Sequence, residues 1–322
     1  MRRNIKLALV RRLARWTSPL AAKFEKRKIA LHAGPGERHQ PVFIVGAPRT
    51  GSTILYQALT DCLDTLYIDN LAALFSRSLY FGLWLSRKLY GSRPHHCYRS
   101  VQGDTRGCGL HGPSEGTDFW YRWLPRQHHY IGRGDLSPGA VAEIRQNLFA
   151  SMNRYDRPLL LKNLAMGQRL GLIADLAPRA RFIWIKREPL YTAQSILLVK
   201  RQRGQKPHDW WSIMPRNYRE LLKLDGYQQV VRQIFFLEKQ ILADRHLFPA
   251  HQFITVHYRD LCCRTGETVE RLRQFIDPGI GLRKDPQTLS LPLQEERRLE
   301  EEDFRRLRQE CGKIDWENYE IK

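Results

Sequence analysis

Residues Pro41–Gln57 read PVFIVGAPRTGSTILYQ. The apolar run Val42–Val45 has the length and composition of a buried strand, and from Ser52 a helical pattern carries Ile54, Leu55, Ala58 and Leu59 inward. A strand–turn–helix unit of this kind aims backbone N–H groups and a helix N-terminus at an anion. Gly46 and Gly51 suit the tight turn, and Ser52 and Thr53 add hydroxyl donors. Compared with the nucleoside-triphosphate loop GxxxxGK[ST], both glycines are kept, but Ser52 occupies the lysine position and the cation has moved to Arg49. A kinase or triphosphatase needs that lysine and a carboxylate-held Mg²⁺.

Three further apolar runs read as buried strands: Leu159–Leu161, Phe182–Ile185 and Phe253–Val256. Helical patterns lie between them, at Arg169–Leu176 and over residues 228–247, so the expectation is an α/β chain with a doubly wound parallel sheet and a P-loop-like phosphate loop. The second run ends in Lys162 and the third in Lys186-Arg187, so both strands lead into cations. That arrangement suits a ligand with two separate anionic groups. Residues 62–157, between the first two strands, are expected as a helical insertion, which beside such a loop is where an acceptor substrate would be housed. Residues 1–40 are expected as a basic arm, 41–322 as one domain, and 290–322 as a charged, solvated C-terminal helix. No internal repeat or low-complexity tract is found.

The chain has 322 residues, and its 53 Lys+Arg against 33 Asp+Glu give a net charge of +20. Its 42 % hydrophobic content fills a real core and argues against disorder. The charge points to anionic partners without choosing among nucleic acid, phospholipid, nucleotide and acidic glycan. Residues 1–28 hold ten Lys/Arg against Glu25 alone, with Ile5, Leu9, Leu13, Trp16 and Leu20 at helical spacing. This segment reads either as an amphipathic helix on an acidic membrane surface or as a helix packed on its own domain. Leu7–Val10 is too short for a signal-peptide core, and the longest stretch without Asp, Glu, Lys or Arg, His246–Tyr258, is 13 residues. A spanning helix needs roughly 20 apolar residues, so a cytoplasmic chain is expected, with peripheral contact at the inner membrane surface. The six cysteines form no CxxC pair and read as free thiols in a reducing cytosol. His95-His96 and His128-His129 are neighbours rather than an i, i+4 pair, so no metal site is expected.

Taken together, these motifs resemble the sulfotransferase superfamily, in its bacterial and Golgi-type branch, which uses 3′-phosphoadenosine 5′-phosphosulfate without a metal. The 5′-phosphosulfate loop of that family is similar to GAPRTGST, and its 3′-phosphate motif is similar to Arg187 at a strand end with Ser195 eight positions on. A strand-end lysine matches Lys162, and a Tyr-Glu-Asp-Leu-like segment matches Tyr258-Arg259-Asp260-Leu261. The resemblance covers roughly residues 41–62 and 158–280. It implies that Thr50, Gly51, Ser52 and Thr53 hold the 5′-phosphate with Arg49 near the bridging oxygen. It also implies that Arg187 and Ser195 take the 3′-phosphate, that Lys162 neutralises the sulfuryl oxygens, and that Tyr258 lies against adenosine. The product would be 3′-phosphoadenosine 5′-phosphate, and the acceptor a hydroxyl of a carbohydrate, lipid or small metabolite.

Acceptor activation also needs a general base. Cytosolic relatives carry a His two residues past the strand-end lysine, where this chain has Leu164. The resemblance to Golgi and bacterial members moves the base to a Glu after the phosphate-loop helix. Glu115 in LHGPSEG is the first candidate, with His111 and Asp69 as alternatives. Two competing functions are a nucleic-acid-binding protein using the basic arm and a kinase-like phosphotransferase. The first has no recognisable aromatic RNA-binding motif or helix-turn-helix, and Ser52 disfavours the second.

Overall fold

Each of the four expected strands forms: β1 (Val42–Val45), β3 (Leu159–Lys162), β4 (Arg181–Lys186) and β5 (Phe253–His257). A computed structural model describes residues 20–33, 38–100, 105, 108–206 and 209–321. A fifth strand, β2 (Leu66–Tyr67), lies inside the segment expected to be helical and pairs with the outer edge of β3. At two residues it is too short to register as an apolar run. The sheet order is β2-β3-β1-β4-β5, and every pairing is parallel.

Alternation along the strands divides the core into two layers. Val42 and Ile44 pack with Leu160, Ile183 and Val256 against the helices Ser52–Cys62 and Thr265–Ile276. Phe43 and Val45 pack with Leu161, Phe182 and Trp184 against the helices Pro138–Tyr155, Pro189–Gln202 and Gly226–Asp244. Both faces are covered, which is why the strands read as unbroken apolar runs. Leu55, Ala58 and Leu59 are buried as expected, and Ile54 is partly buried.

Three differences from the sequence expectations bear on function. The charged C-terminal helix begins only at Glu301 and ends at Gly312, with Phe304 and Leu307 buried in the core. Residues 289–299, which precede it, form neither helix nor strand, and Leu289–Pro292 and Gln294 line the cavity at the carboxyl end of the sheet. Second, Cys97 and Cys108 are disulfide-bonded with Cα atoms 5.5 Å apart, while Cys62, Cys262, Cys263 and Cys311 are free. A separation of 11 residues carries no motif, and only the folding of the insertion brings the two within bridging range. The cysteines therefore no longer argue for a reducing compartment. Third, most of the basic arm lies outside the described residues. Its end, residues 20–32, is helical, with Ala21 buried and Leu20 and Leu31 72 % and 67 % exposed. Among the described residues no helix is long and apolar enough to cross a membrane.

At the centre of the sheet, Phe43 is 1 % exposed and its ring lies 6.0 Å from Phe182 and 6.2 Å from Trp120. Phe43→Ala removes those contacts and leaves a cavity that flanking strands cannot close. The expected loss is about 3–5 kcal/mol in urea unfolding.

Candidate functional site

The turn after β1 is held between two walls. Gly46 has φ 148°, and a Cβ there would stand 2.5 Å from the carbonyl oxygen of Ile185 at the end of β4. Gly51 has φ 92°, and a Cβ would stand 2.4 Å from the ring of Tyr258. Between them Arg49 takes φ 70°, a left-handed conformation that costs a non-glycine residue energy. Three hydrogen bonds hold it there. Thr50 Oγ1 donates to the Ala47 carbonyl at 2.8 Å, Arg49 Nε donates to Ser195 Oγ at 2.9 Å, and an Arg187 guanidinium N–H donates to the Arg49 carbonyl at 3.1 Å. Gly51 is the N-cap of the Ser52–Cys62 helix and no side chain caps it. Its first-turn N–H groups are left for a ligand.

Arg187 follows β4, and Pro189 at the helix start sets the following helix so that Ser195 faces back toward the turn. The Arg187 guanidinium stacks 4.6 Å from the Tyr258 ring centre, donates to the Gln294 carbonyl, and lies 3.9 Å from Glu295. Its Nε has no hydrogen-bond partner among the described residues. Burial first, and then the neighbouring charges of Arg187 and Arg298, pull the Arg49 guanidinium below its ordinary value. Burial does the same to Arg187, with Tyr258 and Glu295 opposing. Guanidinium groups gathered this closely are arranged for an anion.

Sequence reasoning missed the element that completes this end. Gln194, 2 % exposed, donates to the Glu296 carbonyl at 2.8 Å and accepts the N–H groups of Arg298 and Leu299 at 2.7 and 3.2 Å. It thereby ties residues 296–299 beside Ser195, and Tyr258 does the same for Pro292 and Gln294. Glu295 also pairs with Arg259 at 2.7 Å. A buried glutamine next to the motif serine was the available signal. The density of charge around residue 295 hid the other partner.

A cavity of about 1260 Å³ runs from this turn across the carboxyl end of the sheet. Lys162, ending β3, is 2 % exposed, donates to Thr53 Oγ1 at 3.1 Å, and forms a direct ion pair with Glu115. Glu115 and Lys162 both line the cavity, as do Arg49, Gly51 and Arg187. Tyr121, His129 and Trp211 line it elsewhere.

The other two base candidates stand outside the lining of this cavity. His111 is stacked on Tyr90 at 4.2 Å, and burial, aided by Arg283 and Arg93, pulls its imidazole down to about 4. Asp69 is fully buried at the N-cap of the helix Asn70–Ala73, where it accepts from the Ala72 N–H at 2.7 Å and from Ser86 at 2.5 Å. Burial raises its carboxyl to about 7. Among the described residues no group of three or more His, Cys, Asp or Glu is placed to hold a metal ion.

Residues 41–279 match the sequence model of the group described as the Sulfotransferase family. None of the curated proteins matches the chain. Among solved structures, a sulfotransferase from Mycobacterium avium is similar at 16 % identity, over 85 % of this chain and 68 % of that one, with a TM-score of 0.46. One from Mycobacterium tuberculosis H37Rv is similar at 16 % identity, over 83 % and 74 %, with a TM-score of 0.46. A third, from Alicyclobacillus acidocaldarius, is similar at 14 % identity, over 87 % and 98 %, with a TM-score of 0.43.

His129 accepts the Met214 N–H through Nδ1 at 2.9 Å, and its Nε2 lies 3.4 Å from the Tyr121 hydroxyl. Burial, followed by the charge of Arg169, lowers its imidazole from 6.5 to about 4. Between those two values the unfolded chain holds more protons than the folded one. His129 therefore contributes stability that is complete above about 6.5 and is lost as the pH falls toward 4, by up to about 1.4 kcal/mol per pH unit. His129→Asn keeps an acceptor for the Met214 N–H and removes the proton. Urea unfolding across this window is expected to give a flatter pH profile for the variant, and equal slopes would refute the assignment.

Proposed function

Because the chain belongs to the sulfotransferase family, we propose that it moves a sulfuryl group from 3′-phosphoadenosine 5′-phosphosulfate to an acceptor hydroxyl without a metal. The observation that carries this reading is the Lys162–Glu115 pair standing in the same cavity as the phosphate turn and its two guanidinium groups. The residues fit a donor with two anionic ends. The uncapped N-terminus at Gly51–Thr53 suits a 5′-phosphate, and Arg187, whose buried Nε makes no hydrogen bond among the described residues, together with Ser195, suits a 3′-phosphate. Tyr258, packed on Gly51 and stacked on Arg187, offers an adenosine a flat wall.

In this reading Arg49 turns from Ser195 toward the bridging oxygen when the donor is bound. Lys162 stabilises charge on the sulfuryl oxygens, the role that Mg²⁺ has in kinases. Glu115, the one base candidate of the three that lines the cavity, takes the acceptor proton. The acceptor oxygen then forms a bond to sulfur as the bond from sulfur to the 5′-phosphate oxygen breaks, and the electron pair leaves on that phosphate. A kinase-like reaction would instead require a lysine at Ser52.

The finer reading of location is peripheral contact with an acidic membrane surface. It is supported by the exposed leucines 20 and 31 flanking Lys23, Lys26 and Arg27 on the helix of residues 20–32. Replacing these three cations by Glu in the full chain is expected to abolish co-sedimentation with phosphatidylglycerol vesicles. Unchanged sedimentation would refute the contact.

For the donor site, 3′-phosphoadenosine 5′-phosphate is expected to raise the melting temperature without Mg²⁺, and ATP with Mg²⁺ is not. Arg187→Ala should weaken this nucleotide by at least tenfold. Glu115→Gln should reduce transfer by at least a hundredfold while sparing nucleotide affinity. Retained stabilisation in the first variant, or retained turnover in the second, would overturn the corresponding role.

A further inference from the structure

Arg169 is fully buried and no residue of the family motif accounts for it. Its Nε donates to the His129 carbonyl at 2.9 Å and one terminal nitrogen faces the Met166 sulfur at 4.0 Å. The other terminal nitrogen has no hydrogen-bond partner, and no carboxylate pairs with the group among the described residues. Burial lowers the guanidinium to about 10, with only Tyr121 acting in the opposite direction. A buried cation without a counter-charge is expensive, and folds keep one where a ligand or a partner supplies the missing charge.

What stands in front of Arg169 is the wall of the cavity. His129, whose carbonyl Arg169 holds, and Tyr121, whose hydroxyl meets the His129 ring, both line it. Arg126 stacks 4.3 Å from the Tyr121 ring and also lines the cavity, as does Arg203. The Asp118 partner of Arg126, at 3.0 Å, is mostly exposed, so it screens little of that charge. Trp211 and Met214, the latter tied to His129, add apolar surface.

We propose that this part of the cavity receives an anionic group, a phosphate or a carboxylate, carried on the hydroxyl-bearing acceptor. Arg126 and Arg203 face that group at the rim. Arg169 is a positioning residue that supplies counter-charge from behind the Tyr121–His129 wall. The inference rests on the sulfuryl-transfer reading, since it assigns the acceptor of that reaction. It makes the acceptor an acid with a hydroxyl, so that both substrates enter as anions and the +20 chain attracts both.

The test uses the full chain saturated with 3′-phosphoadenosine 5′-phosphate, and isothermal titration with matched pairs: glucose and glucose 6-phosphate, galactose and galacturonate, myo-inositol and its monophosphate. At least one anionic member is expected to bind tenfold or more tightly than its neutral twin. The Arg126→Ala/Arg203→Ala double variant should lose that preference while keeping its affinity for the nucleotide. Arg169→Met should also lose it and Arg169→Lys should restore it, a rescue that a purely structural role would not produce. In transfer assays the rim variants should raise KM for the anionic acceptor with little change in kcat. If Arg169→Met does not fold, the lysine and rim variants decide. A chain that binds the nucleotide but shows no preference for any anionic member refutes this inference alone, as does a preference that survives the rim double variant. A chain that does not bind the nucleotide refutes the donor reading and this inference with it.

Discussion

Between the carbonyl oxygen of Ile185 and the ring of Tyr258 there is room for backbone but not for a Cβ, and the turn after β1 passes both points as glycine. That constraint brings the chain from the middle of the sheet into the Ser52–Cys62 helix with its first N–H groups uncapped and facing the cavity. It also forces Arg49 into a left-handed conformation, which its bond to Ser195 and the bond from Arg187 hold in place. The elements that meet there, β1, β4, β5 and the helix carrying Ser195, are joined by parallel pairing and a shared core. The turn is therefore as rigid as the sheet that supports it.

The same arrangement concentrates positive charge. Burial first, and then the neighbouring charges of Arg187 and Arg298, lower the Arg49 guanidinium, and burial also lowers Arg187. Behind the cavity wall at His129, Arg169 is buried with no carboxylate partner among the described residues. Lys162 differs because Glu115 neutralises it directly. These groups thus carry electrostatic repulsion and desolvation that an anion bound among them would relieve, and such binding would add to folding stability. Glu295 moderates the charge at one end without cancelling it, since it lies 3.9 Å from Arg187 and bonds more closely to Arg259.

Much of this was legible from local pattern. The four longer strands appear as apolar runs because both sheet faces are covered. The turn after β1 appears as paired glycines between a strand and a helix, and the strand-end cations can be read from position alone. Other features were not. β2 is two residues long and takes its pairing from β3. The Cys97–Cys108 bond depends on a loop closure that no spacing rule encodes. The C-terminal segment looked solvated because its charges are dense. Gln194 and Tyr258 nevertheless draw residues 292–299 onto the sheet edge, and Glu295 becomes buried against two arginines.

The sequence by itself determined the fold class, the glycine-framed turn after β1 and the residue types at the ends of the strands. These depend on periodicity and on backbone conformations that only certain residues adopt, both of which are local. Tertiary structure decided which carboxylate meets Lys162. Local sequence put Glu115 first with His111 and Asp69 as alternatives, and no short-range pattern places any of the three against Lys162. Only folding of the insertion put Glu115 into the cavity, His111 against Tyr90 and Asp69 at the N-cap of a short helix. It also decided that Arg169 is buried behind His129, forty residues away in the chain. Long-range contacts of this kind are set by how whole elements pack, and no short stretch of sequence contains that information.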